Sequence, residues 1–233
     1  MNKDRDAINT GIFSEYLQNA QCSESNTPLL VFMDELHIKN GKEEYVPLKN
    51  HTKFWQECGE DSLKVSGGNA QNGSGQRNGR VDPVLKLYKG GPVMLTTNDD
   101  VKGGKANGTR ATVLQIVIKP STSLAPVGVG GERCNAVLAS GIASVVLRRE
   151  SSSEIITMEP RRFYFSASIP KPESLQTRRD RTDRAYMKGM QLPFISNSAT
   201  TGHKLQGATL AAIFVSCWSY KTNWPYVVLS RVT

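Results

Sequence analysis

The sequence predicts an α/β domain in which a parallel sheet is interrupted by a small β-barrel. Three observations predict it. A helical stretch followed by a continuous apolar run opens the chain. Residues 114–168 read as β throughout, in short runs broken by Gly, Pro and Ser. The C-terminal segment then alternates strand-like and helix-like runs, the pattern of a parallel α/β sheet.

The elements follow in order. Ala7, Ile8, Ile12, Phe13, Tyr16 and Leu17 fall roughly on one helical face, which predicts a helix over Asp4 to Leu17. Pro28 leads into LLVFM, Leu29 to Met33, an unbroken apolar run suited to a buried strand. Asp34 to Tyr45 is polar, with Asn40-Gly41 as a turn signal. Ser66 to Arg80 (SGGNAQNGSGQRNGR) has almost nothing apolar and reads as a loop. Structure resumes at VLKLYKG, and Pro92 to Thr96 is a strand. Val101 to Thr109 holds the turn pairs Gly103-Gly104 and Asn107-Gly108, and Ala111 to Ile118 is rich in β-branched residues. The runs ASVVLRRE, EIITMEP and RRFYFSA continue the β pattern and suggest a small barrel. Gln176 to Arg184 is an arginine-rich cluster, read as an exposed loop or as a loop that contacts phosphates. LPFISNSAT is a strand entering a polar turn, HKLQGATL fits a short helix, and AAIFVS is a second buried strand. Pro225 to Val232 reads as a short helix with proline in its first turn.

Composition narrows the function classes. The chain has 233 residues, 29 basic and 21 acidic, for a net charge of +8. That surplus favours polyanionic partners through long-range attraction and counterion release. Cys22, Cys58, Cys134 and Cys217 are scattered, without a C-x-x-C pair or neighbouring paired histidines. This argues against a zinc site or a disulfide framework, and no metal ligand is assigned. No apolar run is long enough for a membrane helix, and no membrane partner is expected. The N-terminal MNKDRDAINTGIF is charged and has no apolar core, unlike a secretory signal.

Two blocks carry chemistry. In TGHKLQGATL, Thr201 to Leu210, a buried strand delivers a turn with hydroxyls, His203, Lys204 and Gly207. Turns at the carboxyl ends of parallel strands bind ligands in α/β sheets, and amides opening a helix suit phosphate oxygens. A surface loop of incidental polarity would have the same composition. In YVVLSRVT, Tyr226, Val227, Leu229 and Val232 can pack an apolar face and hold Arg231 on a rigid helix. A fixed guanidinium matches phosphate oxygens and stays charged. A surface ion-pairing arginine is the alternative.

Taken together, the pairing of T-x-H-K-x-Q-G-x-T-L with Y-V-x-L-S-R-V resembles motifs V and VI of superfamily 1B helicases, the PIF-like and RecD-like DNA helicases and those of rolling-circle transposons. NKDRDAIN near the start is similar to motif IV. GGPVMLTTNDDVKGGKANGTRATV is similar to the family's G-x-x-V-M-L…N-G-T-R-x-x-V segment, and MQLPF to its R-x-Q-F-P strand. The blocks occur in the family's order from residue 2 to residue 233, with 22–81 and 114–188 matching poorly. The sequence departs from the family at Gly202 and Leu205, usually Ile and Ser, at Met190, usually Arg, and at Trp224-Pro225, usually Gly-Gln.

The resemblance implies a RecA-like second motor domain of the P-loop NTPase type, over 1–110 and 185–233, with the barrel inserted at 111–184. It implies ATP and Mg2+ as cofactors of the intact enzyme, single-stranded DNA as partner, and 5′-to-3′ translocation. Arg231 would be the arginine finger. Gln206, assigned a catalytic role with Arg231, and Gly207 would line the nucleotide. Thr201, His203, Lys204 and Asn9 would touch DNA. Asp34-Glu35 follows an apolar run, as a magnesium-binding Walker B pair does, but no G-x-x-x-x-G-K-[ST] loop precedes it. The expectation is therefore that Mg2+ ligands lie in an N-terminal RecA-like domain missing from this chain, and that the chain alone hydrolyses no ATP. The resemblance also implies a place inside the cell, in the nucleus or wherever DNA is handled. A decayed transposon-derived fragment and a non-catalytic single-strand-binding module are the alternatives.

Overall fold

A computed structural model describes residues 2–19, 28–39, 45–47, 82–129, 132–170 and 182–198, with single positions at 215, 226, 229 and 230. The first element is helix α1, Asn2–Asn19. It is followed by β1 (Leu29–Phe32), β2 (Asp34–Lys39), β3 (Tyr45–Pro47), β4 (Val84–Leu87) and β5 (Pro92–Leu95). Then come β6 (Arg110–Ile118), β7 (Ala125–Val129), β8 (Glu132–Leu138), β9 (Ile142–Arg149) and β10 (Ile155–Met158). The long β11 (Arg161–Pro170) and β12 (Thr182–Gln191) and the short β13 (Phe194–Ser196) complete the described strands.

These strands form three sheets, ordered β4-β1-β8-β7, β10-β9-β6-β5-β13 and β11-β12-β2-β3. β1 and β8 pair in parallel, with Leu29 opposite Asn135, and β1 pairs antiparallel with β4. β1 is apolar at every position because both of its faces are covered. Leu29 and Val31 point into the main core with Leu85, Leu87 and Val137. Leu30 points the other way, where Phe13 and Leu17 of α1 close over Cys134 and Ala136. Phe13 and Leu17 are one helical turn apart, which puts both on the face that meets the sheet. The helix reaches further than its apolar spacing predicts, but its buried stripe is narrower: Ala7 and Ile8 are exposed.

The second sheet closes the main core from the opposite side. Alternation places Ala111 and Val113 of β6, Val145 and Leu147 of β9, and Ile156 and Met158 of β10 inward. Val93 and Leu95 of β5 and Phe194 of β13 complete that layer. Arg110, Thr112, Arg148, Ile155 and Thr157 alternate to the outer face, where Arg148, Ile155 and Thr157 are exposed. Strands of the 111–184 stretch therefore pair with strands outside it: β6 with β5, and β8 with β1.

The described sheets are mixed rather than purely parallel, with β1–β8 as the parallel pair among the described residues. The strand before the polar turn, β13, runs antiparallel to β5, where alternation with helices predicts a parallel neighbour. The β-rich stretch forms as expected, but the described pairings leave β10 and β13 as edges, so closure into a barrel is not seen among them. Asp34 to Lys39, read as polar, is a strand: Leu36 is buried between half-buried Glu35 and His37. Thr182 to Arg184, read as part of a loop, begins β12. The 66–80 loop, the rest of the arginine-rich cluster and AAIFVS apart from residue 215 lie outside the described residues.

Candidate nucleotide and DNA interface

The expected site residues Thr201, His203, Lys204, Gln206, Gly207 and Arg231 lie outside the described residues. What the structure describes is the frame on either side of them. Asn9 sits half-buried in the middle of α1. At the C-terminal block, Tyr226 and Leu229 are helical, and the amide of Ser230 donates to the carbonyl of Tyr226 at 3.0 Å. That i to i+4 bond is helical in type, and the rest of the helix expected over Pro225 to Val232 lies outside the described residues. Of the four residues expected to pack an apolar face, Val227 and Val232 lie outside the described residues. Tyr226 is 77% exposed and Leu229 61%.

The approach to Thr201 is held at several points. Gln191, at the end of β12, is fully buried at 0% exposure. Its Nε2 lies 3.3 Å from the Val31 carbonyl, 3.1 Å from that of Asp82 and 3.4 Å from that of Pro83. Its Oε1 accepts the Leu192 amide at 3.0 Å. One side chain thus ties β12 to β1 and to the entry of β4, immediately before β13. Beyond β13, the Ser196 hydroxyl donates to the Lys86 carbonyl at 3.2 Å, and the Asn197 amide to the Pro92 carbonyl at 2.9 Å. The Tyr88 hydroxyl stands 3.5 Å from Ser198 Oγ. Composition alone does not single out Gln191 or Tyr88. The one signal for Gln191 is its place in the MQLPF block.

The turn-rich segment between β5 and β6 folds into a tight loop. Asn98 Oδ1 accepts the Asn107 amide at 2.7 Å, and Asp100 Oδ1 accepts the Gly103 amide at 2.8 Å. Lys105 closes a bridge to Asp100. Arg161 pairs with Asp99, and Arg149 pairs with Glu154. Gly104 has φ +79°, and a Cβ there would stand 2.1 Å from the Arg149 guanidinium. Backbone conformation and the neighbouring side chain therefore both call for glycine. The loop presents Val101 and Lys102 to solvent.

The Asp34-Glu35 pair is engaged within the fold. Asp34 is 4% exposed, and both carboxylate oxygens lie 3.3 Å from the Ser140 amide, with the Ser140 hydroxyl in short contact. Glu35 takes φ +48° where the chain passes from one sheet to another, and it pairs with Arg162. No group of three His, Cys, Asp or Glu side chains among the described residues is placed to hold a metal. No helix among them is long and apolar enough to cross a membrane. Cys134 is buried beneath α1, and burial raises its thiol above the ordinary pKa.

No family model matches the chain, and no curated protein matches it. Solved structures do. A Pif1 helicase from Candida albicans is similar over 100% of this chain and 41% of its own, at 17% identity and a TM-score of 0.51. A Pif1 helicase from Bacteroides, in complex with ADP-AlF3 and ssDNA, is similar over 100% of this chain and 36% of its own, at 17% identity and a TM-score of 0.49. The first likeness defines the fold class: mixed sheets with few helices among the described residues, as in a helicase motor region. The particular fold it shares is that of a Pif1 helicase. The chain spans about two fifths of the length of that helicase.

Proposed function

We propose that this chain is the C-terminal motor portion of an ATP-dependent DNA helicase that moves 5′ to 3′ along single-stranded DNA. The observation that carries the reading is the order of the five sequence blocks, running from NKDRDAIN to YVVLSRVT, in a chain similar in fold to a Pif1 helicase. Fold alone does not define an activity. The blocks supply the chemistry that the fold leaves open.

In this reading ATP lies between this domain and a preceding RecA-like domain that supplies the phosphate loop and the Mg2+ ligands. Arg231 reaches the transferring phosphoryl group, whose charge a guanidinium is suited to stabilise. Gln206 and Gly207 line the nucleotide. Thr201, His203 and Lys204 contact the DNA backbone, and Asn9 contributes from α1. The 111–184 stretch is an insertion in chain order that shares a core with its host and helps hold the strand. Mg2+ has no proposed ligand in this chain.

A second reading has an observation of its own. The outer face of the five-stranded sheet exposes Arg148, Thr157 and Ile155, with Arg110 and Thr112 alongside. Mixed cationic, hydroxyl and apolar surface of this kind also suits a single-strand-binding module without catalysis.

Binding of a fluorescent oligodeoxythymidine to the chain, followed over a salt series, tests the first reading. Affinity is expected to fall steeply with salt. His203→Ala and Lys204→Ala should each weaken binding, by about 1 kcal/mol or more for loss of a charge-assisted contact. Binding that ignores both substitutions but collapses on Arg148→Ala would favour the module.

A further inference from the structure

The sheet ordered β11-β12-β2-β3 has two unlike faces. On its inner face Phe163 and Phe165 of β11 and Met187 of β12 are buried. Gly189 completes that face, and a Cβ there would stand 2.8 Å from both Leu36 Cδ2 and Met33 Sδ. Such close packing holds β11 and β12 as a fixed ladder, paired without a break from Arg161–Gln191 to Pro170–Thr182.

Alternation decides what the outer face carries. Tyr164 stands opposite Lys188, and Lys188 opposite His37, in one row across β11, β12 and β2. Two residues along the strands, on the same face, come Tyr186 of β12 and Lys39 of β2. Tyr186 is 51% exposed, and the other four are half-buried. Arg162, two residues before Tyr164, pairs with Glu35 at 3.1 Å. Lys39, Lys188 and Arg162 against Glu35 leave these side chains with a positive balance.

Two tyrosine rings set in a cationic surface match a single-stranded nucleic acid. Its bases offer π-faces to aromatic rings, and its phosphates attract lysines. A duplex keeps those base faces inside its own stack, and an acidic peptide would use the charges but not the rings. Tyr164 and Tyr186 are diagonal neighbours across the ladder, so their Cβ atoms stand about 7–8 Å apart. Consecutive nucleotides of an extended strand can bridge such a span. We propose that the outer face of β11, β12 and β2 is a binding site for single-stranded DNA, with bases stacked on Tyr186 and Tyr164 and phosphates drawn to Lys188 and Lys39. It uses none of the residues from Thr201 to Lys204 and belongs to a different sheet from Arg148, Ile155 and Thr157. The choice of DNA rests on the proposed function, whereas the stacking face follows from the fold.

The test is fluorescence anisotropy of the full chain with two labelled strands of equal length and charge: oligodeoxythymidine and an abasic strand, which has phosphates but no bases. Tyr186→Ala is expected to weaken oligodeoxythymidine binding by about fivefold or more and to leave abasic binding within about twofold, because stacking needs a base. Tyr186→Phe keeps the ring and should bind oligodeoxythymidine within about twofold of wild type. Lys188→Ala should weaken both strands alike and reduce the salt slope by about one. Tyr186 lies half in solvent, so its removal spares the core, and thermal unfolding of each variant checks this. A folded Tyr186→Ala protein that binds oligodeoxythymidine as wild type does would overturn the proposal. Equal losses on both strands would overturn it too, since the effect would then be one of charge or shape. His203→Ala and Lys204→Ala separate this site from the motor reading. If they bind as wild type while Tyr186→Ala loses affinity for oligodeoxythymidine alone, the motor reading falls and this site stands. The converse pattern removes this site and leaves the motor reading in place.

Discussion

Replacing Gln191 with Leu removes one buried amide of nearly the same size as its substitute, so the loss is one of hydrogen bonds rather than volume. The buried Leu192 amide loses its acceptor, Gln191 Oε1 at 3.0 Å. Orphaning such a donor costs about 1–3 kcal/mol. The side chain's two N–H bonds serve carbonyls of Val31, Asp82 and Pro83. The Pro83 carbonyl also accepts the Met33 amide at 2.8 Å, so it keeps a partner. Two lost donations add about 0.5–1.5 kcal/mol each. Together these come to about 4 kcal/mol, and for a chain of this length that lowers the unfolding midpoint by roughly 8–16 °C. Calorimetry or circular dichroism measures it. Gln191→Glu sharpens the test. Buried among carbonyl oxygens, a carboxyl has its folded pKa raised above the unfolded value, because its neutral form can donate. Its stability is then fullest at low pH and falls as pH rises through the raised pKa, whereas the Gln191→Leu deficit stays flat. A midpoint for Gln191→Leu within about 2 °C of wild type would refute the bonding role assigned to this amide.

Gly104→Ala must hold φ +79° with a side chain, at a cost of about 1–2 kcal/mol, and must also push Arg149 from its pairing with Glu154. Gly108→Ala meets the first demand, at φ +91°, but has open space around it. Urea unfolding should therefore show Gly104→Ala as the less stable of the two, and equal stabilities would remove Arg149 from the account. The isolated chain should turn over no ATP, with or without DNA. Steady phosphate release that co-purifies with the chain and persists at constant specific activity would contradict the placement of the phosphate loop and Mg2+ ligands in a preceding domain.

Many of the strands were legible along the chain because burial on two faces leaves a mark. Leu29 to Met33 has no polar residue to place outward, and β5, β6, β9, β10 and β11 stand close to where their apolar runs predict them. β2 was hidden because its core-facing positions include Asp34, whose burial depends on Ser140, a partner far away in sequence. The antiparallel pairing of β13 was equally hidden, since periodicity reports which face is buried and not which neighbour supplies the ladder. The candidate site divides differently. Its chemistry was read from short blocks whose spacing resembles a family. The roles of Gln191 and Tyr88 in packing emerged only with the fold, because a buried amide and a stacked ring have no local periodic signature.

The central claim is that Arg231 belongs to an ATP-hydrolysing site completed by a preceding motor domain. The most direct measurement is the DNA-stimulated kcat for ATP of the full-length protein, wild type against Arg231→Ala, with nucleotide affinity measured separately. The account predicts that kcat falls by about 10³-fold or more while nucleotide affinity changes far less, as for loss of an arginine finger. Turnover that survives Arg231→Ala nearly intact, in a protein that still binds DNA, would contradict it.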